Sequence, residues 1–354
     1  MYVILKDLHK NLPWYKWPAK YKKRYQPALD ALRDDYAGSL GKVKWCQYLF
    51  FIQWKELKDY CRQLDIELFG DMPIYISHDS VDVWTNPRIF SIDEEGKPLA
   101  VAGVPPDYFN ENGQLWGMPV FNWDAMKENG YAWWKKRIKR NLELFDLIRF
   151  DHFRAFSAYW SVPAHLKTAR DGEWKQGPGM DLFHALADEF GTLPFVAEDL
   201  GDIDEPVHIL RRKAGIPGMK VLQFAFGDNM PVAENIPHNF TYDTFVYTGT
   251  HDNNTTAGWY KKETSSADRK RLSAYIGHRV KKDNIHRVLT RLAYASVSQA
   301  VIIPLQDVLG LGEEAVMNVP GRSEGNWTWR MKKGMTDQDI SAYLYEITET
   351  YGRL

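Results

Sequence analysis

Six short runs of apolar, β-branched and aromatic residues punctuate the chain: Ile66–Ile74, Leu147–Asp151, Pro194–Glu198, Lys220–Phe226, Thr244–Thr248 and Ala300–Pro304. Each is continuous instead of alternating, the pattern of a strand buried on both faces within a parallel sheet. Helical periodicity fills the spaces between them. Val43–Leu64 reads as an amphipathic helix, and so does Tyr131–Phe145, which carries Trp133, Trp134, Ile138, Leu142 and Phe145. Glu205–Lys213, Ser265–Ser296 and Gln338–Tyr351 follow the same period, and Met1–Lys10 and Gln26–Leu40 also look helical. Strands alternating with helices predict an α/β fold built on parallel pairing. Two stretches interrupt the alternation: Ser77–Gly130, rich in Gly, Pro, Asp and Asn, and Thr168–Gly179. Long irregular segments inside a compact domain usually carry function.

A chain of 354 residues fits two domains or one (β/α) barrel with insertions. Apolar residues make up 44% and charged residues 26%, a globular composition. The formal net charge of -1 offers no long-range attraction to a polyanion, so nucleic acid is not an expected partner. The basic segment Lys16–Arg24 is interleaved with Trp and Tyr and reads as a solvated helix face. No apolar run approaches the ~20 residues of a membrane span. Met1–Leu5 is followed at once by Lys6 and Asp7, so this stretch does not read as an apolar h-region. Cys46 and Cys61 show no metal-ligand spacing and are expected to be buried thiols, which fits a cytoplasmic location. The 14 Trp and 19 Tyr are numerous for a core of this size. Their apolar faces and polar tips suit a sugar ring.

The residues that close the strands carry the candidate chemistry. One run ends in Gly70-Asp71-Met72-Pro73 and another in Arg149-Phe150-Asp151-His152-Phe153-Arg154. A third ends in Ala197-Glu198-Asp199-Leu200-Gly201, and a fourth leads into Gly249-Thr250-His251-Asp252-Asn253. In a parallel barrel the C-terminal ends of the strands face one mouth, so Asp71, Asp151, Glu198 and Asp252 are expected to converge there. Singly, such residues are more often helix caps or loop ion pairs, and Glu198-Asp199 could cap the following helix. Jointly they suit glycoside chemistry, which needs one carboxylate as nucleophile and one carboxylic acid as proton donor. An Arg two residues before the nucleophile would keep it ionised.

The runs RFDHFRAF, VAEDLG and TGTHDN, in this order, resemble those of the 4-α-glucanotransferases, the amylomaltase or disproportionating-enzyme family within the α-amylase clan. GDMPIYISHDSVDVW from Gly70, VAGVPPDYF from Val101, GQLWG from Gly113, VLQFAFGD from Val221 and MNVPG from Met317 extend the resemblance over nearly the whole chain. The resemblance implies a (β/α)8 TIM barrel with inserted subdomains and a retaining double displacement. It makes Asp151 the nucleophile, Glu198 the general acid/base and Asp252 the transition-state stabiliser. Arg149 and His251 would hold the nucleophile and the donor sugar. Asp71, Asp107, Tyr108, Gln114, Trp116, Asp228 and Asn318 would line or support the glucan groove. The expected partners are an α-1,4-glucan or maltooligosaccharide donor and a glucan or glucose acceptor, with no metal and no organic cofactor.

Within that resemblance, residues 1–354 form one catalytic barrel, with 77–130 and 152–190 inserted to shape the groove. The six strands match barrel strands three to eight, and nothing before Ile66 reads as the first two. The chain is therefore expected to lack them and to leave Leu68, Ile302 and Ile303 incompletely buried at open sheet edges. Two other functions fit the same carboxylates or the same fold: hydrolysis of α-glucan on this scaffold, and glucan binding without catalysis. A metal-dependent barrel enzyme would need Asp151-His152 and His251-Asp252 as ligands, but the HxH and HExxH spacings are absent.

Overall fold

All six continuous apolar runs become parallel strands, in two three-stranded sheets that belong to separate units, Met1–Ile216 and Pro217–Leu354. The computed structural model describes residues 1–106, 110–322 and 324–354. The strands of the first unit are β1 (Phe69–Pro73), β2 (Ala100–Val104), β3 (Gln114–Pro119), β4 (Leu147–Asp151), β5 (Ala158–Pro163), β6 (Glu173–Gln176) and β7 (Phe195–Ala197). Those of the second are β8 (Gly218–Val221), β9 (Thr244–Tyr247) and β10 (Ala300–Ile302).

In the first unit β4 lies between β1 and β7, parallel to both. A strand with partners on both sides and helices over its faces must be apolar, and Ile148, Phe150, Phe195 and Ala197 are buried accordingly. The core around them is aromatic. Phe150 packs on Phe195 with ring centres 4.5 Å apart and on Phe156 at 5.2 Å. Trp134, from the Ala132–Leu144 helix, closes over Phe156 at 5.5 Å. Such pairs contribute roughly 0.5–1.5 kcal/mol each beyond the area they bury.

The stretches expected as loops contain a sheet of their own. β2 pairs antiparallel with β3 and β5, and β5 with β6, in the order β3-β2-β5-β6. The sheet thus joins residues from 77–130 to residues from 152–190. Across it Trp160 packs edge-on against Trp174, 5.2 Å between ring centres.

In the second unit β9 lies between β8 and β10. The expected strand Lys220–Phe226 starts and stops earlier, at Gly218–Val221, and Leu222–Phe224 turns into a 3-10 helix. The expected helix Ser265–Ser296 is two helices, Ser266–Ile276 and Ile285–Tyr294. Gly277 ends the first in a left-handed C-cap with φ 83°, a conformation open to glycine. Beneath this unit Asp307, 1% exposed, accepts hydrogen bonds from the Thr248 hydroxyl at 2.5 Å, the Thr256 hydroxyl at 2.6 Å and the Thr256 amide at 2.7 Å.

Leu68, Ile302 and Ile303 are half-buried, and among the described residues β1, β7, β8 and β10 each pair on one side. The Ala37–Gln63 helix departs further from the amphipathic expectation. Trp45, Tyr48, Phe50 and Tyr60 are each more than half exposed, and Lys58 is its fully buried residue. Trp54 does pack, edge-on against Phe145 at 5.6 Å between ring centres. Cys46 lies on that helix and is exposed, and Cys61 is half-buried, so the expectation of two buried thiols is corrected for both. Among the described residues no helix is long and apolar enough to cross a membrane.

Candidate active site

The pleat of the first parallel sheet sorts its residues into two sets. Register places Asp71 of β1 opposite Arg149 of β4, and Arg149 opposite Val196 of β7. Residues two apart in a strand share a face. Asp71, Arg149, Asp151 and Glu198 therefore fall on one side, and Ile148, Phe150, Phe195 and Ala197 on the other, in the core.

The polar side is knit by charge. Arg149 is 7% exposed, and one of its terminal nitrogens donates to both carboxylate oxygens of Asp71, at 2.7 and 2.9 Å. Its other terminal nitrogen lies 3.0 Å from Asp151. Burial alone would make this guanidinium easier to deprotonate. The carboxylates of Asp71, Asp151 and Glu198 outweigh that and hold it charged. A planar fork that engages two carboxylates at once is a task for Arg and not Lys.

Glu198 extends the pairing of β4 and β7 by one residue. Its amide donates to the Phe150 carbonyl at 2.9 Å, and its carbonyl accepts from the Phe153 amide at 3.0 Å. Its carboxylate accepts from two more amides, His152 at 2.7 Å and Leu200 at 3.2 Å. The cap of the following Glu205–Lys213 helix is Asp204, which accepts from the Val207 amide, so neither Glu198 nor Asp199 serves as the cap. Asp199 is buried and ion-paired with Arg211 at 3.2 Å. Burial pushes the Glu198 carboxyl up from 4.5 to about 7, helped by the charge of Asp151 and opposed by Arg149 and the two amides. A carboxyl so placed is partly protonated near neutrality, as a general acid must be.

His152 sits between these groups in the left-handed region, φ 53° and ψ 50°. For a residue with a Cβ that conformation costs roughly 1–2 kcal/mol. Burial, and then the charge of Arg154, push its imidazole down to about 4, so the ring is neutral at working pH. The ring meets Trp116 edge-on at 4.9 Å and Tyr75 at 6.3 Å. The Trp116 indole in turn donates to the Gln114 side chain at 3.2 Å, so these two groove candidates on β3 are linked to each other and to the turn after Asp151.

The second unit holds its own group. Asn318 donates to one oxygen of Asp252 at 2.5 Å, and the other oxygen lies 3.3 Å from His251. The Asn318 amide donates to the His251 carbonyl at 3.1 Å, and Trp327 packs against the imidazole at 5.3 Å. Asp228 is almost fully exposed and paired with Arg271 at 2.9 Å. Asp107 and Tyr108 lie outside the described residues. Sequence reasoning did not foresee the Arg149–Asp71 fork or the turn at His152. The register of the two strands was the signal for the first.

The family model for glycoside hydrolase 77, 4-alpha-glucanotransferase, matches residues 1–336. The chain belongs to the 4-alpha-glucanotransferase family. It is 44% identical over 361 residues to the 4-alpha-glucanotransferase of Thermus thermophilus, covering 100% of this chain and 72% of that one. With the corresponding enzyme of Synechocystis sp. the identity is 45% over 356 residues, covering 100% and 70%. Amylomaltase from Streptococcus agalactiae, solved in complex with acarbose, superposes with a TM-score of 0.95 at 39% identity, over 99% of this chain and 71% of that one. The fold is thus the mixed α/β, TIM-barrel-like fold of amylomaltase, and the chain is an enzyme of the 4-α-glucanotransferase class.

Proposed function

We propose that the chain transfers α-1,4-glucan segments between maltooligosaccharides through a covalent glucosyl-enzyme, with Asp151 and Glu198 as the reacting pair. The observation that carries this reading is the contrast between the two carboxylates. One lies 3.0 Å from a buried, firmly charged Arg149. The other is crowded out of water and pushed up to about 7. Two carboxyl groups whose surroundings favour opposite protonation states supply a nucleophile and an acid.

In the first half-reaction the Asp151 carboxylate attacks the anomeric carbon. The glycosidic C–O bond breaks, and the proton of Glu198 passes to the departing 4-oxygen. In the second, the Glu198 carboxylate takes the proton of an acceptor 4-hydroxyl, that oxygen attacks the same carbon, and Asp151 leaves as carboxylate. Each half inverts the centre, so the product keeps the α configuration. Asp252, held by Asn318 beside His251, is proposed as the third carboxylate, which binds sugar hydroxyls and favours the cationic transition state. Gln114 and Trp116 on the antiparallel sheet are proposed as part of the groove wall that lets a glucan acceptor displace water. Neither half needs a metal ion, and among the described residues no group of His, Cys, Asp and Glu is arranged to hold one. The reading places the work in the cytoplasm, where free thiols such as exposed Cys46 stay reduced.

Incubation with maltotriose tests it. Transfer yields glucose together with maltooligosaccharides longer than the substrate. If only shorter products accumulate, the acceptor is water and the enzyme is a hydrolase.

A further inference from the structure

We propose that the left-handed turn at His152 is the device that positions the proton donor, holding the Glu198 carboxylate through the His152 backbone amide while the imidazole locks the turn against Trp116. The inference rests on the reading of Glu198 as acid/base. Three hydrogen bonds tie residues 150–153 to residue 198: Glu198 amide to Phe150 carbonyl at 2.9 Å, Phe153 amide to Glu198 carbonyl at 3.0 Å, and His152 amide to Glu198 Oε2 at 2.7 Å. An extended chain cannot aim two successive amides at one residue. The φ of 53° at His152 makes it possible. A non-glycine residue persists in that region when its surroundings fix it. Here the fixing contacts are the edge-on ring of Trp116 at 4.9 Å and Tyr75 at 6.3 Å. The side chain therefore acts at a distance from the chemistry, through the conformation of its own backbone. The same contacts join the proposed groove wall on β3 to the proton donor.

The groups that bear on the Glu198 carboxyl within its unit are Arg149 and Asp151 from β4, the His152 amide and the Leu200 amide. Asp71 of β1 reaches it through Arg149. Of these, the His152 amide favours the ionised carboxylate and depends on the turn. Losing it should raise the Glu198 pKa and move the alkaline limb of the kcat profile to higher pH, while the donor drifts from its alignment.

The test compares His152→Asn and His152→Gly, which tolerate the left-handed region, with His152→Val, whose branched Cβ resists it. Transfer from maltotriose is followed from pH 5 to 9. For His152→Val the expected result is a kcat lower by roughly 10–100-fold with little change in KM. Its alkaline limb should move upward by about one unit. His152→Asn and His152→Gly give up the ring contacts but still accept the left-handed region, so they should move the limb less and lose less kcat than His152→Val. If His152→Val does not fold, His152→Ala replaces it, with the same direction expected. Equal damage and equal profiles in the Asn, Gly and Val variants would overturn the proposal, because the effect would then not follow each residue's tolerance of the left-handed region. Glu198→Gln serves as the control on the underlying reading. Transfer surviving in that variant removes the acid/base assignment. Its loss, with His152→Val behaving like His152→Asn, removes the positioning role alone.

Discussion

Replacing Glu198 by Gln should alter stability in a way that depends on pH, and the structure sets both sign and size. The folded carboxyl titrates near 7 against 4.5 for the free group. Below pH 4.5 it is protonated whether the chain is folded or not, and the shift contributes nothing. Between the two values the unfolded chain gives up its proton first, so native stability falls as pH rises. Above pH 7 the whole penalty is present, about 3 kcal/mol for a displacement of some 2.5 units. Gln cannot ionise and escapes this penalty. It has one oxygen for the two amides of His152 and Leu200, so its NH2 must face one N–H. That adds a constant cost of about 1–3 kcal/mol, independent of pH. Guanidinium unfolding of both proteins at pH 5, 6, 7 and 8 isolates the variable part, since every other titrating group is common to both. The difference should move in favour of Glu198→Gln by about 2.5 kcal/mol across that range, while the variant is inactive in transfer. A difference that stays flat, or that moves in favour of the wild type as pH rises, would mean that Glu198 is not a carboxyl raised by burial.

Three further outcomes are expected. Asp151→Asn should abolish transfer while calorimetric titration with a maltooligosaccharide still shows binding. If affinity falls in step with activity, Asp151 is a structural group. Arg149→Met removes the cation that draws the Glu198 carboxyl down, so the alkaline limb of activity should shift upward. It also strands two partly exposed carboxylates at a stability cost of about 2 kcal/mol, and an unchanged pH profile would refute the coupling. Asp307→Ala leaves three buried donors without their acceptor and should destabilise the protein by about 2–5 kcal/mol in urea unfolding. A near-neutral result would show that water replaces the carboxylate there.

What the sequence could show depended on how local the cause was. The run Leu147–Asp151 is a strand with those same bounds because its neighbours on both sides demand apolar residues, and that demand is written in the run itself. Glu205–Lys213 was equally legible, since Asp204 supplies the cap and Pro206 stands in the first turn. Lys220–Phe226 was misplaced because Leu222 is buried from a 3-10 turn and not from a strand, and apolarity alone does not separate the two. The β3-β2-β5-β6 sheet was invisible. Its central pair, β2 with β5, joins segments far apart in sequence, and Gly103, Gly113 and Gly117 look like loop punctuation. Gly103 and Gly113 are in fact sites of close backbone approach, where an added Cβ would lie 2.5 and 2.3 Å from a carbonyl oxygen. At the site, residue types pointed to Asp151 and Glu198. The left-handed turn at His152 follows from tertiary contacts that no local pattern records.

The threading of that antiparallel sheet has a bearing on how the enzyme can be re-engineered. β2 and β3 come before the strand that carries Asp151, and β5 and β6 come after it. The sheet is therefore not a cassette. Exchanging 77–130 for the matching stretch of a relative leaves β5 facing a foreign edge, with the pairs Val101–Val162 and Gly103–Trp160 mismatched. Exchanging 152–190 alone does the same to β2. Chimeras aimed at acceptor preference should work when both stretches travel together around an unchanged Leu147–Asp151. Single grafts should yield misassembled protein even where every catalytic group is retained.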